Sequence, residues 1–188
     1  MFWSIAPLVA VCIVLAGVLG MCSFAPNGPS PGPAPDYDAP AGLRADADAL
    51  GIPIRVPVLP AGWHANSGSR KGIENGRTDA DGRQLRAVSS TVGYLTPTGM
   101  YLALTQSNAD EEKLVGSLDS DLAPAGAQDV DGVKWVVYEG GDAEPVWTTR
   151  LAGPTGPAQI AIQGAGGTQD YRTLAAATQT QPPLSATK

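Results

Sequence analysis

The feature that most constrains this chain is an uncharged apolar segment near its start. Residues 2–24 contain no acidic, basic or histidine side chain, and a helix needs roughly 20 such residues to cross about 30 Å of hydrocarbon. The segment therefore predicts a transmembrane helix over residues 2–24 that anchors the chain in the cell membrane. Asp36 and Asp38 follow it before any basic residue, which favours a single-pass topology with the N-terminus inside and the C-terminal domain outside.

Two alternatives for this segment remain open. Signal-peptide cleavage needs small residues at the first and third positions before the cleaved bond. The nearest match is residues 23–25 (Ser-Phe-Ala), but Pro26 would directly follow the cleaved bond. Lipidation would use Cys22, but Met21 stands where a small residue is expected before a lipidated cysteine. We therefore expect a retained membrane anchor, with cleavage and lipidation as the alternatives.

Length, charge and cysteine content limit what the rest of the chain can be. The 188 residues suffice for one domain with flanking segments. A net charge of -6, with no cluster of Lys or Arg, argues against nucleic acid as a partner, because phosphate binding requires a basic surface. Both cysteines, Cys12 and Cys22, fall in the apolar segment, which excludes a disulfide framework or a cysteine nucleophile in the soluble part.

Composition divides the remainder into three regions. Residues 25–50 begin with a proline-rich run, APNGPSPGPAPDYDAP, and predict an extended stalk whose last residues form one helical turn. Residues 51–178 predict one extracytoplasmic domain. The tail, residues 179–188, carries no strong pattern and is expected to be disordered.

Turn sequences between alternating apolar runs indicate β-hairpins in the domain. Residues 96–99 (Thr-Pro-Thr-Gly) separate two such runs, and Asp131-Gly132 is a pair typical of a tight two-residue turn. Residues 146–151 and 158–162 predict further strands. By contrast, residues 64–82 are rich in Gly, Asn, Ser and charge and predict only a weak strand followed by a long exposed loop.

Two helical patterns accompany these strands. Leu114, Leu118 and Leu122 repeat every four residues, and a second apolar stripe follows Thr168. Hairpin-connected strands with only two helices predict an α+β domain. We expect a mainly antiparallel sheet of about five to seven strands, with the two helices packed on one face.

Residues that could carry chemistry are few. His64 is the chain's one histidine, and no nucleophile motif accompanies it, so a surface histidine is the favoured interpretation. Residues 119–121 and 129–132 each contain a pair of aspartates, but neither continues into a calcium-binding loop. Residues 164–167 (Gly-Ala-Gly-Gly) match no phosphate-binding motif and favour a flexible connection. The sequence therefore predicts no catalytic residue, no metal site and no cofactor, and it leaves the ligand-binding residues unknown.

Two further sets of residues leave alternatives open. Three carboxylates, Glu139, Asp142 and Glu144, stand close together near a hairpin end and could divide the roles of acid and base in a hydrolase or transferase. Five aromatic residues fall in or near the strands and could line a ligand groove, although core packing is the favoured interpretation: Trp63, Tyr94, Tyr101, Trp135 and Trp147.

Three stretches of the domain resemble a known family. These are residues 57–63 (PVLPAGW), residues 93–101 (GYLTPTGMY) and Gln106-Ser107. Together with the apolar segment and the proline-rich stalk, they resemble the family of domain of unknown function 4245 from high-GC Gram-positive bacteria. The resemblance implies a membrane-tethered protein without an assigned activity, and it implies no catalytic residue.

The favoured function is a noncatalytic envelope module that binds a protein, a glycan or a lipid outside the membrane. A carboxylate-dependent envelope hydrolase or transferase and a structural subunit of a membrane complex are the alternatives. The sequence does not decide whether the domain is an enzyme, and it favours a noncatalytic role.

Overall fold

The computed structural model describes residues 35–184. The predicted transmembrane helix (2–24), the first part of the predicted stalk (25–34) and the end of the predicted tail (185–188) lie outside the described residues. Between residues 35 and 184, no helix is long and apolar enough to cross a bilayer.

A seven-stranded sheet forms the centre of the fold, and every neighbouring pair of strands is antiparallel. The strands lie in the order β1-β2-β3-β7-β6-β5-β4. Their bounds are β1 His64–Thr78, β2 Gln84–Leu95, β3 Tyr101–Ser107, β4 Ala123–Val130, β5 Val133–Glu139, β6 Val146–Leu151 and β7 Ala158–Gly164. The predicted α+β class and antiparallel sheet are confirmed.

Within residues 35–184, three helices, one more than predicted for the domain, pack against this sheet: α1 Ala39–Leu50, α2 Glu111–Leu118 and α3 Thr168–Gln179. Successive side chains of a strand point to opposite faces. In β7, Ile160 belongs to the core cluster that contains Leu174 of α3, whereas its neighbour Ala161 packs with Leu114 of α2. Helices α1 and α3 therefore cover one face and α2 covers the other, which corrects the prediction that all helices lie on one face.

Helix α1 occupies chain that was predicted to be stalk. Asp38 caps its start by accepting a hydrogen bond from the Ala41 N–H at 3.0 Å, and Gly51 ends it in the left-handed conformation, with φ of 65°. Leu43 and Ala47, one turn apart, are buried in the main core. Because these side chains are part of the core, the domain begins before residue 51.

Part of the predicted disordered tail is also ordered. The Leu184 N–H donates to the Ile54 carbonyl at 2.7 Å, and the Gln181 carbonyl accepts from Arg55 Nε at 3.0 Å. These bonds attach residues 181–184 to the chain that follows α1, so the domain extends beyond residue 178.

Strand β1 replaces the predicted weak strand and exposed loop. It pairs with β2 from His64 opposite Leu95 to Thr78 opposite Gln84, with two irregularities in register. Backbone hydrogen bonds to a strongly patterned neighbour hold this segment, although its own side chains are mostly exposed. The pairing also shows that a segment rich in Gly, Asn and Ser can form a strand when its neighbour is a stable strand.

The Asp-Gly hairpin is confirmed between β4 and β5. Asp131 and Gly132 both have positive φ, 50° and 85°, as a two-residue turn of this type requires. The Gly132 N–H donates to Asp129 Oδ1 at 3.0 Å. The paired aspartates of residues 129–132 therefore serve the turn.

Candidate functional site

A groove of about 540 Å3 runs along the outer side of α3. We call it the helix groove. One wall is α3, the opposite wall is the extended segment 57–60, and the β4–β5 turn closes one end. Its lining residues are Val58, Pro60, Val130, Asp131, Gln169, Arg172, Thr173, Ala176, Ala177 and Thr180. The volume lies within the range of about 300–1,000 Å3 that is common for ligand pockets.

The helical wall is held in place by polar contacts to the β4–β5 hairpin. Arg172 donates to the Asp129 carbonyl at 2.9 Å and to Gln128 Oε1 at 3.0 Å. Gln179 donates to the Val130 carbonyl at 2.7 Å and accepts from Trp135 Nε1 at 2.9 Å. These bonds fix both ends of α3, so the groove has a defined shape without a ligand.

The opposite wall is held by a buried side-chain amide. Gln106 of β3 accepts from the Arg55 N–H at 2.8 Å and donates to the Arg55 carbonyl at 2.8 Å. The side chain of Gln106 thus satisfies the backbone groups of Arg55 as a neighbouring strand would, and it holds the segment that leads to residue 58. Val58 itself is 70% exposed, which is unusual for a large apolar side chain fixed beside a groove.

The helix groove presents both apolar and charged side chains. Val58, Pro60 and Ala176 offer apolar contact, whereas Asp131 and Arg172 offer charge at one end. The guanidinium of Arg172 is already hydrogen-bonded within the domain. The hydroxyl-bearing residues Thr173 and Thr180 also line the groove.

A second, smaller cavity of about 150 Å3 lies beneath the start of α3, and Glu139, Trp147 and Tyr171 are among its lining residues. The rings of Trp147 and Tyr171 lie 5.1 Å apart. The Tyr171 hydroxyl oxygen lies 2.7 and 2.8 Å from the carbonyl oxygens of Pro145 and Gly164, and its single proton is donated to one of them at a time. Tyr171 thus connects α3 to two loops, and its hydroxyl is engaged in the structure of the domain.

The three carboxylates considered for acid and base catalysis are all exposed. Glu139 ends β5 and lines the smaller cavity, but neither Asp142 nor Glu144 lines that cavity or the helix groove. Within residues 35–184, no group of three or more His, Cys, Asp or Glu side chains is placed to hold a metal ion. The structure therefore does not bring these carboxylates together into a site.

His64 and the glycine-rich connection take structural positions. His64 is the exposed first residue of β1. In the connection between β7 and α3, the Gly167 N–H donates to Asp170 Oδ2 at 2.9 Å. The start of α3 is thus already paired with a carboxylate of the chain, which opposes its use as a cradle for another anion.

The five aromatic residues mostly pack in the core, as predicted. Tyr94, Trp135 and Trp147 are buried, and Trp63 packs against the same cluster. Tyr101 differs, since it is 40% exposed at the start of β3. None of the five lines the helix groove, and its apolar walls come from aliphatic residues that the sequence did not indicate as ligand-binding.

Three buried tyrosines predict a fall in stability at alkaline pH. Burial raises the pKa of Tyr94 and Tyr171 above the ordinary value of 10, and burial together with the Glu111 hydrogen bond raises the pKa of Tyr138 to about 12. The unfolded chain releases these protons near pH 10 while the folded domain keeps them. Their contribution is therefore complete below pH 10 and is lost as the pH rises toward 12.

Chemical denaturation between about pH 9 and pH 11 measures this effect as the slope of the unfolding free energy against pH. The slope is proportional to the number of protons released on unfolding. Replacing Tyr138 by Phe removes one of the three tyrosines that release such a proton, so the slope should fall by about a third. Equal slopes for the Tyr138→Phe variant and the unaltered domain would contradict the assignment.

Comparisons with known proteins give one match. No curated protein and no solved structure matches the chain. A family model described as "Protein of unknown function (DUF4245)" matches residues 1–178, which covers the apolar segment and nearly all of the domain. The chain therefore belongs to the DUF4245 family of proteins of unknown function.

Proposed function

We propose that this protein is a membrane-anchored, noncatalytic binding module of the cell envelope and that the helix groove receives its partner. The carrying observation is the groove itself, about 540 Å3 in volume and fixed at both walls before any ligand arrives. A site that is formed in advance loses less conformational entropy on binding.

A protein segment fits this groove better than the other envelope ligands. Val58, Pro60 and Ala177 offer apolar surface to the side chains of a bound protein segment. Asp131 and Arg172 offer charged partners to the polar groups of that segment. Exposed apolar residues rimmed by polar ones are typical of protein interaction sites. A glycan site would be expected to carry aromatic side chains, and the groove has none.

The proposed location rests on the uncharged segment 2–24 and on the acidic residues that follow it. A single span with the N-terminus inside would hold the domain outside the membrane, where envelope proteins are its available partners. The carboxylate-dependent enzyme is the less supported alternative, because Glu139, Asp142 and Glu144 do not converge on one cavity.

Site-specific photo-crosslinking in intact cells tests the proposal. A photoreactive amino acid is placed at Val58 or at Ala177 of the full-length chain, one on each wall of the groove. We expect both positions to give the same crosslinked species, since they face the same partner. A membrane-impermeant protease added to the intact cells should remove the crosslinked domain, because the domain is proposed to lie outside.

The matched control positions are Gln84 and Arg86, which are exposed on β2 near the opposite edge of the sheet. They should give no such species. Crosslinking of equal strength at the control positions would contradict the groove as the binding surface. Protection of the domain from the protease would contradict its location.

A further inference from the structure

A separate cavity of about 190 Å3 lies at one end of the sheet. We call it the two-arginine pocket. Four segments converge on it: residues 51–53 after α1, residues 77–78 at the end of β1, residues 108–110 before α2 and residues 150–157 around the β6–β7 hairpin. It shares no lining residue with the helix groove.

Two arginines in this pocket form no close ion pair with a residue between 35 and 184, although, together with hydrogen bonds from Arg83, the positive charge of Arg77 helps to lower the pKa of Asp79. Within the described part of the chain, Arg77 uses only Nε, which donates to the Arg86 carbonyl at 3.3 Å. The Arg150 side chain forms no ion pair or hydrogen bond with any residue between 35 and 184. Arg83, in contrast, is paired with Asp79 and Asp81. In a chain of net charge -6, two unpaired guanidinium groups on one cavity are notable.

A third donor comes from a different wall. Asn108 accepts from the Val88 N–H at 2.9 Å through Oδ1, which fixes the orientation of its side-chain amide. Its NH2 group has no acceptor among residues 35–184. Arg77, Arg150 and Asn108 thus supply hydrogen-bond donors from three separate segments.

Donors from three walls match a tetrahedral anion better than a planar one. A carboxylate is satisfied by one guanidinium in a two-bond pairing, whereas a phosphate presents three oxygens in different directions. Asp110 also lines the pocket, and its Oδ2 accepts from the Thr78 N–H at 2.9 Å. The remaining oxygen of this carboxylate is suited to accept from a hydroxyl group of a ligand.

We propose that the two-arginine pocket binds a phosphate ester of a small polyol, with the phosphate on Arg77 and Arg150 and a hydroxyl on Asp110. This site is independent of the helix groove. Nothing in the family match assigns it. The phosphate neutralises the two unpaired guanidinium groups, and the neighbouring hydroxyl distinguishes the ester from free phosphate.

Titration of the full-length chain with glycerol 3-phosphate, followed by NMR, tests this inference. We expect saturable binding in the millimolar range, with shifts at the backbone amides of Thr78, Asn108 and Gly156. Inorganic phosphate should bind more weakly, and glycerol should not bind. Equal affinity for inorganic phosphate would overturn the polyol ester as the ligand class.

Variants separate this pocket from general charge attraction. Arg150→Gln and Arg77→Gln should each weaken binding by about tenfold or more, and both residues are exposed, so the domain should still fold. Arg83→Gln is the matched control, because Arg83 lies in the β1–β2 turn outside the pocket, and it should leave the affinity unchanged. Equal weakening by all three substitutions, or by none, would overturn the proposal.

Discussion

Replacing Gln106 by Leu should lower the free energy of unfolding by about 3 kcal/mol, because two buried backbone groups lose their only partner. Gln106 is fully buried, and its side-chain amide makes two 2.8 Å hydrogen bonds with the N–H and the carbonyl of Arg55. Leucine fills a similar volume but can neither donate nor accept. The unpaired N–H and carbonyl would then lie in an apolar environment.

The same substitution should loosen one wall of the helix groove, since Arg55 lies three residues before Val58. Urea denaturation measures the loss of stability, and amide exchange of residues 55–59 measures the local loosening. Gln84→Leu is the matched control, because Gln84 is exposed and bonds only Thr78 Oγ1, and its effect should stay within about 0.5 kcal/mol. Equal stabilities for the two variants would contradict this role of Gln106.

Replacing Trp135 by Ala should lower the free energy of unfolding by about 3–5 kcal/mol, the usual cost of truncating a large aromatic residue in a core. Trp135 is fully buried in β5, and its Nε1 donates to Gln179 Oε1 at 2.9 Å. The substitution opens a cavity between the sheet and α3, and it also removes the bond that orients Gln179. Both losses fall on the helix that forms one wall of the helix groove.

Trp135→Phe separates these two effects. Phenylalanine retains most of the packing but removes the hydrogen bond to Gln179, so we expect a loss of about 1–2 kcal/mol. Thermal and urea denaturation of both variants gives the comparison. A loss for the alanine variant no larger than that for the phenylalanine variant would contradict the placement of Trp135 in the core.

The parts of the fold that the sequence predicted correctly depend on local chemistry. Asp131-Gly132 specifies its turn because both residues must adopt positive φ, and they do. The helix that contains Leu114 and the helix that starts at Thr168 were predicted because apolar side chains recur at helical spacing. These signals lie within a few residues, so they can be recognised without knowledge of the rest of the fold.

Only the last turn of helix α1 was predicted, because a stronger compositional signal stood beside the rest of it. The prolines before residue 40 suggested a stalk, although Asp38 as a cap, Pro40 in the first turn and Leu43 and Ala47 one turn apart are the signs of a helix start. The full length of strand β1 was missed for a different reason. Strand β1 is held by its pairing with β2. Because this pairing joins two segments of the chain, the residues of β1 alone show little strand pattern.

The helix groove and the two-arginine pocket were not predicted, since each is built from segments that are distant in the sequence. Val58 and Ala177 lie more than a hundred residues apart, yet both line one groove. Arg77 and Arg150 likewise belong to strands that are four positions apart in the sheet, yet both line one pocket. Neither pair forms a motif, so no local pattern indicates it.

The stretches that carry the family resemblance have structural roles. Gly62 and Gly99 have positive φ, 89° and 81°, in two turns of the domain. Thr96 Oγ1 accepts from the Met100 N–H at 3.0 Å and so closes the β2–β3 hairpin. Gln106 holds the segment at Arg55. These residues of the family stretches therefore stabilise turns and packing, and the helix groove must be tested for function directly.

Hydrogen exchange of the domain, measured alone and with the envelope fraction of the native cell, tests the helix groove as a binding site most directly. The proposed function predicts slower exchange in α3 and in the amides of Val56, Val58 and Leu59, with little change in β1 and β2. Ala177→Arg, which fills the groove with a long charged side chain, should abolish that protection. Protection confined to the β1–β2 edge, or unchanged exchange throughout the domain, would contradict the proposed function.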